Sequence, residues 1–261
     1  MPIGVYKKED APSAQFGGRT EYTKAIAEHT GIPKSGVTRR NASAAVELYR
    51  RILAHQPDRS VTIVSVGWTT NLRDLHLDES GARLIDQKIA KLVLMGGRWA
   101  PPDTAHVATM NLAGNQCVPA AFYAGQYVVE HWPTPIVFSG MEVTQGIATG
   151  EGLRSTPTHN PVREAYRYYK KKHGATVWDH HNADQCATLF AVRGARDLWT
   201  VNAEGGARMF LKPNEEERYL RWHTQWDSSL DRKHAYLSIA ADRDRIAASI
   251  EALMVQLPQN P

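Results

Sequence analysis

The segment Asp179-His180-His181-Asn182-Ala183-Asp184 sets two imidazoles between two carboxylates. Such groups ligate zinc and carry protons. Asp179, His180 and His181 would share one metal only if they faced one point, and adjacent histidines on an extended chain face opposite ways. Asp184 heads the apolar run 187–192, where a carboxylate serves either as a helix cap facing the dipole or as a metal ligand. Farther off, Asn71 reads as a helix cap or a polar site group. Glu142 reads as a solvated loop acid or a site carboxylate.

These residues need elements to hold them. "VTIVSVG" (61–67), "KLVLMGG" (91–97) and "TPIVFSG" (134–140) are β-branched apolar runs ended by glycine, and they read as strands buried on both faces. Helical spacing appears in residues 45–53 behind Ser43, in Leu84, Ile85, Ile89 and Ala90, and across residues 120–129. It appears again from Pro161 to Tyr169, from Asp184 onward, and from about Arg243 to Leu257. Strand and helix alternate, so the expected fold is α/β: a mainly parallel sheet flanked by helices, with a Rossmann-like core and one domain over 1–261. Ligand sites in such folds lie beyond the carboxyl ends of the strands. That directs attention to Trp68–Asn71, Arg98 onward and Met141 onward.

Several other chemistries find no support. "GEGLRS" (150–155) lacks the third glycine of a dinucleotide loop and does not follow a strand directly, so it reads as a loop. No P-loop and no Gly-x-Ser-x-Gly elbow occurs. "YRYYKKKH" (166–173) reads as a helix with aromatics inward and lysines in water, not as a nucleic-acid patch. A net charge of +4 is too mild to argue for nucleic acid. Cys117 and Cys186 show no paired spacing, which argues against a disulfide framework or a thiolate zinc site. No apolar run reaches membrane-spanning length, and the first residues lack the apolar core of a signal peptide. The expected location is therefore the cytoplasm, with no membrane and no nucleic-acid partner.

Taken together, "VTIVSVGWTTNL", "KLVLMGG", Asn111, "WPTPIVFSGMEV" and "DQCATLFAVRG" stand in the order found in nucleoside hydrolases. The chain resembles the inosine–uridine-preferring nucleoside hydrolase family, in a bacterial branch, over nearly its whole length. That resemblance implies cleavage of the N-glycosidic bond of a ribonucleoside through an oxocarbenium-like ribosyl cation. It implies calcium as cofactor, anchoring the attacking water. By resemblance Asp184 is a metal ligand that also caps its helix, and Thr70 lends its backbone carbonyl to the metal. Asn111 and Glu142 match substrate-binding positions.

Three departures accompany the match. Thr109 stands where the family has a ribose-binding glutamate, and Ala183 where purine-type members have a histidine that protonates the leaving base. His180 or His181 could substitute as leaving-group acid. The family's opening Asp-Thr-Asp-x-Gly-x-Asp-Asp cluster, which holds the base and further metal ligands, has no counterpart among the 261 residues. The sequence thus reads as N-terminally incomplete by roughly two βα units, about 60 residues. A bare strand edge and self-association would follow, with a homo-oligomer as the family's usual form. As written, the chain is expected to hold calcium weakly and to hydrolyse nucleosides little, with no catalytic base identified. The competing reading is a non-catalytic binding protein on a degenerate hydrolase scaffold.

Overall fold

The computed structural model describes residues 2–8, 28, 36–107, 112, 119–172, 178–214 and 219–256. Gly4–Val5 (β1) pairs in parallel with Ser43–Ala44 (β2), which runs straight into helix α1 (Ala45–Leu53). Next come β3 (Val61–Ser65), α2 (Thr70–Leu77), α3 (Glu79–Lys88) and β4 (Ile89–Met95). The short β5 (His106–Val107), α4 (Pro119–His131), β6 (Ile136–Ser139) and β7 (Ala148–Thr149) follow. The remaining elements are α5 (Pro161–Lys172), β8 (His180–His181), α6 (Ala183–Arg193), β9 (Trp199–Asn202), β10 (Gly206–Asn214), β11 (Tyr219–Asp227), β12 (His234–Ile239) and α7 (Arg243–Met254).

Five strands form the central sheet in the order β3-β4-β6-β12-β9. The first four run parallel and β9 closes one edge antiparallel to β12. Alternation along β4 divides the core. Leu92 and Leu94 face a cluster made with α1, α2, α3, α4 and the β10–β11 hairpin, with Trp99, Trp222 and Trp226 in it. Val93 and Met95 face a second cluster, closed by Leu189 and Phe190 of α6 and by Ile246 and Ile250 of α7. Helices on both faces explain why β4 and β6 are near-continuous apolar runs. The mainly parallel α/β architecture expected from the sequence is the one observed. No helix among the described residues is long and apolar enough to cross a membrane.

The structure differs from the sequence reading at several elements. β3 is an edge strand, paired on one side only among the described residues, and it is half-buried rather than covered on both faces. Ile89 and Ala90 open β4 instead of ending a helix. α3 starts behind Asp78, whose carboxylate accepts the Gly81 N–H at 2.8 Å, and it stops at Lys88. The β10–β11 hairpin and β12 are strands that the sequence reading passed over. Lys170, expected in water, is only 8% exposed, and its ammonium donates to the Asp179 carbonyl.

Candidate functional site

The carboxyl ends of β4 and β6 open on a cleft of about 550 Å³. Glycines shape the turn leaving β4: Gly96 and Gly97 have φ of 148° and 76°, a region that side chains other than glycine resist. The Met141 N–H donates to the Gly97 carbonyl at 3.0 Å, tying the turn after β6 to the turn after β4. Arg98 emerges from there into the cleft. Its backbone is pinned to β11, because Thr224 Oγ1 accepts the Arg98 N–H at 3.3 Å and donates to the Arg98 carbonyl at 3.2 Å. β5 pairs with the same segment of β11, setting His106 opposite Thr224. Arg98, His106, Met141, Thr144, Gln145 and His181 line the cleft.

His106 was not among the residues singled out in the sequence. It lies in a two-residue strand with no periodicity to announce it. Its Nε2 is buried without a hydrogen-bond partner among the described residues. Burial lowers its pKa first, and the Arg98 charge lowers it further. Burial and the Arg98 charge thus both favour the neutral form of this imidazole, which leaves Arg98 as the cation of the lining.

Glu142 lies in the single 3₁₀ turn that follows β6. It is no solvated loop acid. Its carboxyl is buried deeply enough to raise its pKa to about 7, against the opposing pull of the Trp99 N–H and the Arg98 charge. Oε2 accepts the Trp99 N–H at 3.4 Å, while Oε1 has no hydrogen-bond partner among the described residues. A Cβ on Gly140 would fall 2.5 Å from Oε1, so the glycine that ends the "IVFSG" run makes room for this acid. Glu142 does not itself line the cleft but stands next to Arg98, which does.

β8 separates the two histidines as the extended chain requires. The His180 ring packs on Tyr169 at 4.7 Å between centroids and meets Tyr166 edge-on at 6.4 Å. His181 lines the cleft, although its ring centroid lies only 6.3 Å from that of His180. Behind them Asn182 is fully buried. Its Oδ1 accepts the Thr149 hydroxyl at 2.9 Å, and its Nδ2 donates to the carbonyls of His180 and Ile147 at 3.0 and 3.4 Å. That side chain stands at the start of α6 yet makes no capping bond to it.

Asp184 lies in the first turn of α6, one residue inside the helix rather than at its cap. It is exposed at its edge, yet crowding by the surrounding chain raises its pKa. Ala183 lines the cleft, whereas Asp184 lines a different hollow between α6 and α7. Thr70 is the buried first residue of α2, and Asn71 lies inside that helix instead of capping it. Neither lines the cleft. Asn111, Thr109 and Cys117 lie outside the described residues. Among the described residues, no three His, Cys, Asp or Glu side chains converge as a metal site would need. Thr70 and Asp184 offer two ligands where calcium takes about 6–8 oxygens, so the described residues do not fit that ion.

No protein-family model matches the chain, and no curated protein is similar to it in sequence. Among solved structures it is similar to the effector protein XOO4466, with a TM-score of 0.53 and 14% identity over 84% of this chain and 66% of that one. The two share a fold over that span. A second similar structure is the inosine-uridine preferring nucleoside hydrolase from Bacillus anthracis, with a TM-score of 0.49 and 16% identity over 83% of this chain and 67% of that one. The chain spans about two thirds of the length of either.

Proposed function

We propose that this chain is a nucleoside hydrolase-type protein that takes a ribonucleoside into the cleft at the ends of β4 and β6 and hydrolyses it slowly or not at all. One observation carries the reading. Three sequence blocks that resemble the family, separated by dozens of residues, end or begin at that cleft: Arg98 directly follows "KLVLMGG", Met141 lies in "WPTPIVFSGMEV" with Thr144 directly after it, and Ala183 directly precedes "DQCATLFAVRG". In the reaction that the resemblance implies, the departing base needs a proton as positive charge builds on the ribose. His181 is the imidazole of the pair that faces the cleft, and it is the residue assigned to that proton. His180, held on Tyr169, is not. Arg98 and Gln145 supply donors to ribose hydroxyls or base edges, and the rim of Met141 gives an apolar face to the ring.

The reading of slow turnover is supported by the chemistry of the lining. Among the described residues no carboxylate lines the cleft, and Glu142, beside Arg98, holds its proton up to about pH 7. Loss of a positioned general base costs about 10²–10⁴-fold. No step is assigned to calcium, because Asp184 and Thr70 do not face the cleft together.

Calorimetry with inosine and uridine, run beside release of p-nitrophenolate from p-nitrophenyl riboside with and without calcium, tests both halves. The expected result is saturable nucleoside binding with turnover near background and insensitive to calcium. Absence of nucleoside binding overturns the site, and calcium-dependent turnover overturns the reading of a slow enzyme.

A further inference from the structure

Of the described residues that line the cleft, Arg98 alone carries a charge that does not depend on pH. It is exposed and forms no salt bridge among the described residues. Other exposed arginines rest on carboxylates: Arg154 on Glu151 at 2.7 Å, and Arg208 on Asp227 at 2.9 Å. The acid next to Arg98 is Glu142, and below about pH 7 burial keeps that carboxyl protonated and uncharged. A guanidinium left uncompensated in a hollow is a place for an anion. Its planar fork of donors matches the oxygens of a phosphate two at a time.

A neutral sugar meets this lining less well. Ribose hydroxyls need acceptors as well as donors, yet Arg98 only donates, and no carboxylate among the described residues faces them. A neutral nucleoside therefore leaves the one fixed charge of the cleft unmatched. His106 adds a second observation. Its Nε2 is buried without a partner among the described residues, and the Arg98 charge helps to keep the ring neutral. Negative charge brought against Arg98 cancels that repulsion, so the imidazole can take a proton and donate from Nε2. Val107, Met141 and Ala183 leave an apolar stretch of wall for a base.

We propose that the ligand of the cleft is a ribonucleoside carrying a phosphate monoester, with the phosphate seated on Arg98. This rests on the reading that the cleft takes a ribonucleoside, and it narrows that class from neutral to anionic.

Calorimetry below pH 7 with inosine, inosine 5′-monophosphate, inosine 3′-monophosphate and inorganic phosphate tests it. One of the two monophosphates should bind about tenfold or more tighter than inosine, the worth of a charge-assisted bidentate pair. That margin should narrow as salt is added. Arg98→Gln should bring nucleotide and nucleoside to within about threefold of each other, whereas Arg98→Lys, which keeps the charge, should retain part of the margin. Arg98 is exposed, so thermal melting of both variants should not move. Inosine binding as tightly as both monophosphates overturns the proposal and leaves the cleft a nucleoside site. A margin that survives Arg98→Gln overturns the seat given to the phosphate. Binding of neither inosine nor a monophosphate overturns the reading of the cleft itself. Inorganic phosphate binding as tightly as the monophosphates overturns both, because the ribonucleoside would then add nothing.

Discussion

Two hollows adjoin the first turn of α6, and they differ in almost every respect. One sets polar groups on a largely apolar lining: Arg98, His106 and His181 line it, with Glu142 close behind. The other is walled by Leu189, Val192, Ile250 and Leu253, with a single charge at either end of α6. Neighbouring residues divide between them, Ala183 to the cleft and Asp184 to the hollow between α6 and α7. A helix turns about 100° per residue, so one step along the chain suffices to change hollow. Residue type and order can thus resemble a metal-binding pattern while the local rotation commits the carboxylate to packing. Distance in sequence from a known chemistry is a poorer guide than which way the turn has gone.

The most damaging way to break this division is at Asn182, which braces the turn from within. Asn182→Ala would remove the amide that accepts the Thr149 hydroxyl and donates to the His180 and Ile147 carbonyls in a fully buried place, leaving Ile147 only the backbone N–H of residue 182. Stability measured by urea unfolding should fall by about 3 kcal/mol, and both hollows should lose their shape together.

A smaller effect separates them by pH. Burial raises the Glu142 pKa to about 7 from the usual 4.5, so the folded state binds that proton more tightly than the unfolded one. Its contribution to stability is complete below pH 4.5 and is lost as pH rises through 7. His234 runs the other way: buried among apolar groups, then repelled by Arg232, it is pushed down to about 4. Its contribution is present above pH 6.5 and is lost as pH falls through 4. The two oppose each other between pH 4.5 and 6.5. Glu142→Gln should therefore leave the His234 slope alone, so that the variant gains stability from pH 4 to 6.5. Relative to wild type it should gain about 2 kcal/mol on going from pH 4 to pH 8. Urea titrations at pH steps would reveal an unchanged gap if Glu142 were in fact solvated.

The finest distinction lies between the two histidines. His181→Ala should weaken nucleoside binding in calorimetry about five- to tenfold, the loss of one hydrogen-bonding side chain, while leaving the melting temperature unchanged. His180→Ala should do the reverse, costing about 0.5–1 kcal/mol of packing on Tyr169 with binding intact. Equal effects on both quantities would mean that the strand does not separate them.

What could be read in advance follows the physics of each element. β4 and β6 were legible because burial on both faces demands continuous apolar sequence. That His180 and His181 would not share one site was legible because an extended chain has period two, and their rings do take different neighbours. β12, "HAYLSI", was not: it begins with histidine and contains serine, and it is buried through its position between β6 and β9. β11 carried a signal of another kind, since Trp222, Thr224 and Trp226 point inward while Arg221, His223 and Gln225 do not. That alternation of aromatic and polar residues escapes a search for apolar runs. Lys170 sits on an otherwise ordinary amphipathic helix, and the carbonyl that receives its ammonium comes from Asp179, beyond the helix end. No property of the helix alone could place that lysine indoors. His106 is positioned by register with β11, more than a hundred residues away, and nothing local encodes it.

The strand order also has a consequence for how such a chain is made. β6 and β9 are translated well before β12, the strand that must lie between them. On the ribosome, β6 has one apolar edge paired with β4 and the other bare until residues 234–239 leave the exit tunnel. Over that interval the growing chain offers an unpaired, hydrophobic strand edge to its neighbours, at the stage when chains on one message are crowded. Closing a sheet by threading its last parallel strand into a central gap makes for slow, non-local folding. Yield should therefore depend on translation rate and on chaperones that shield strand edges, whatever the cleft goes on to bind.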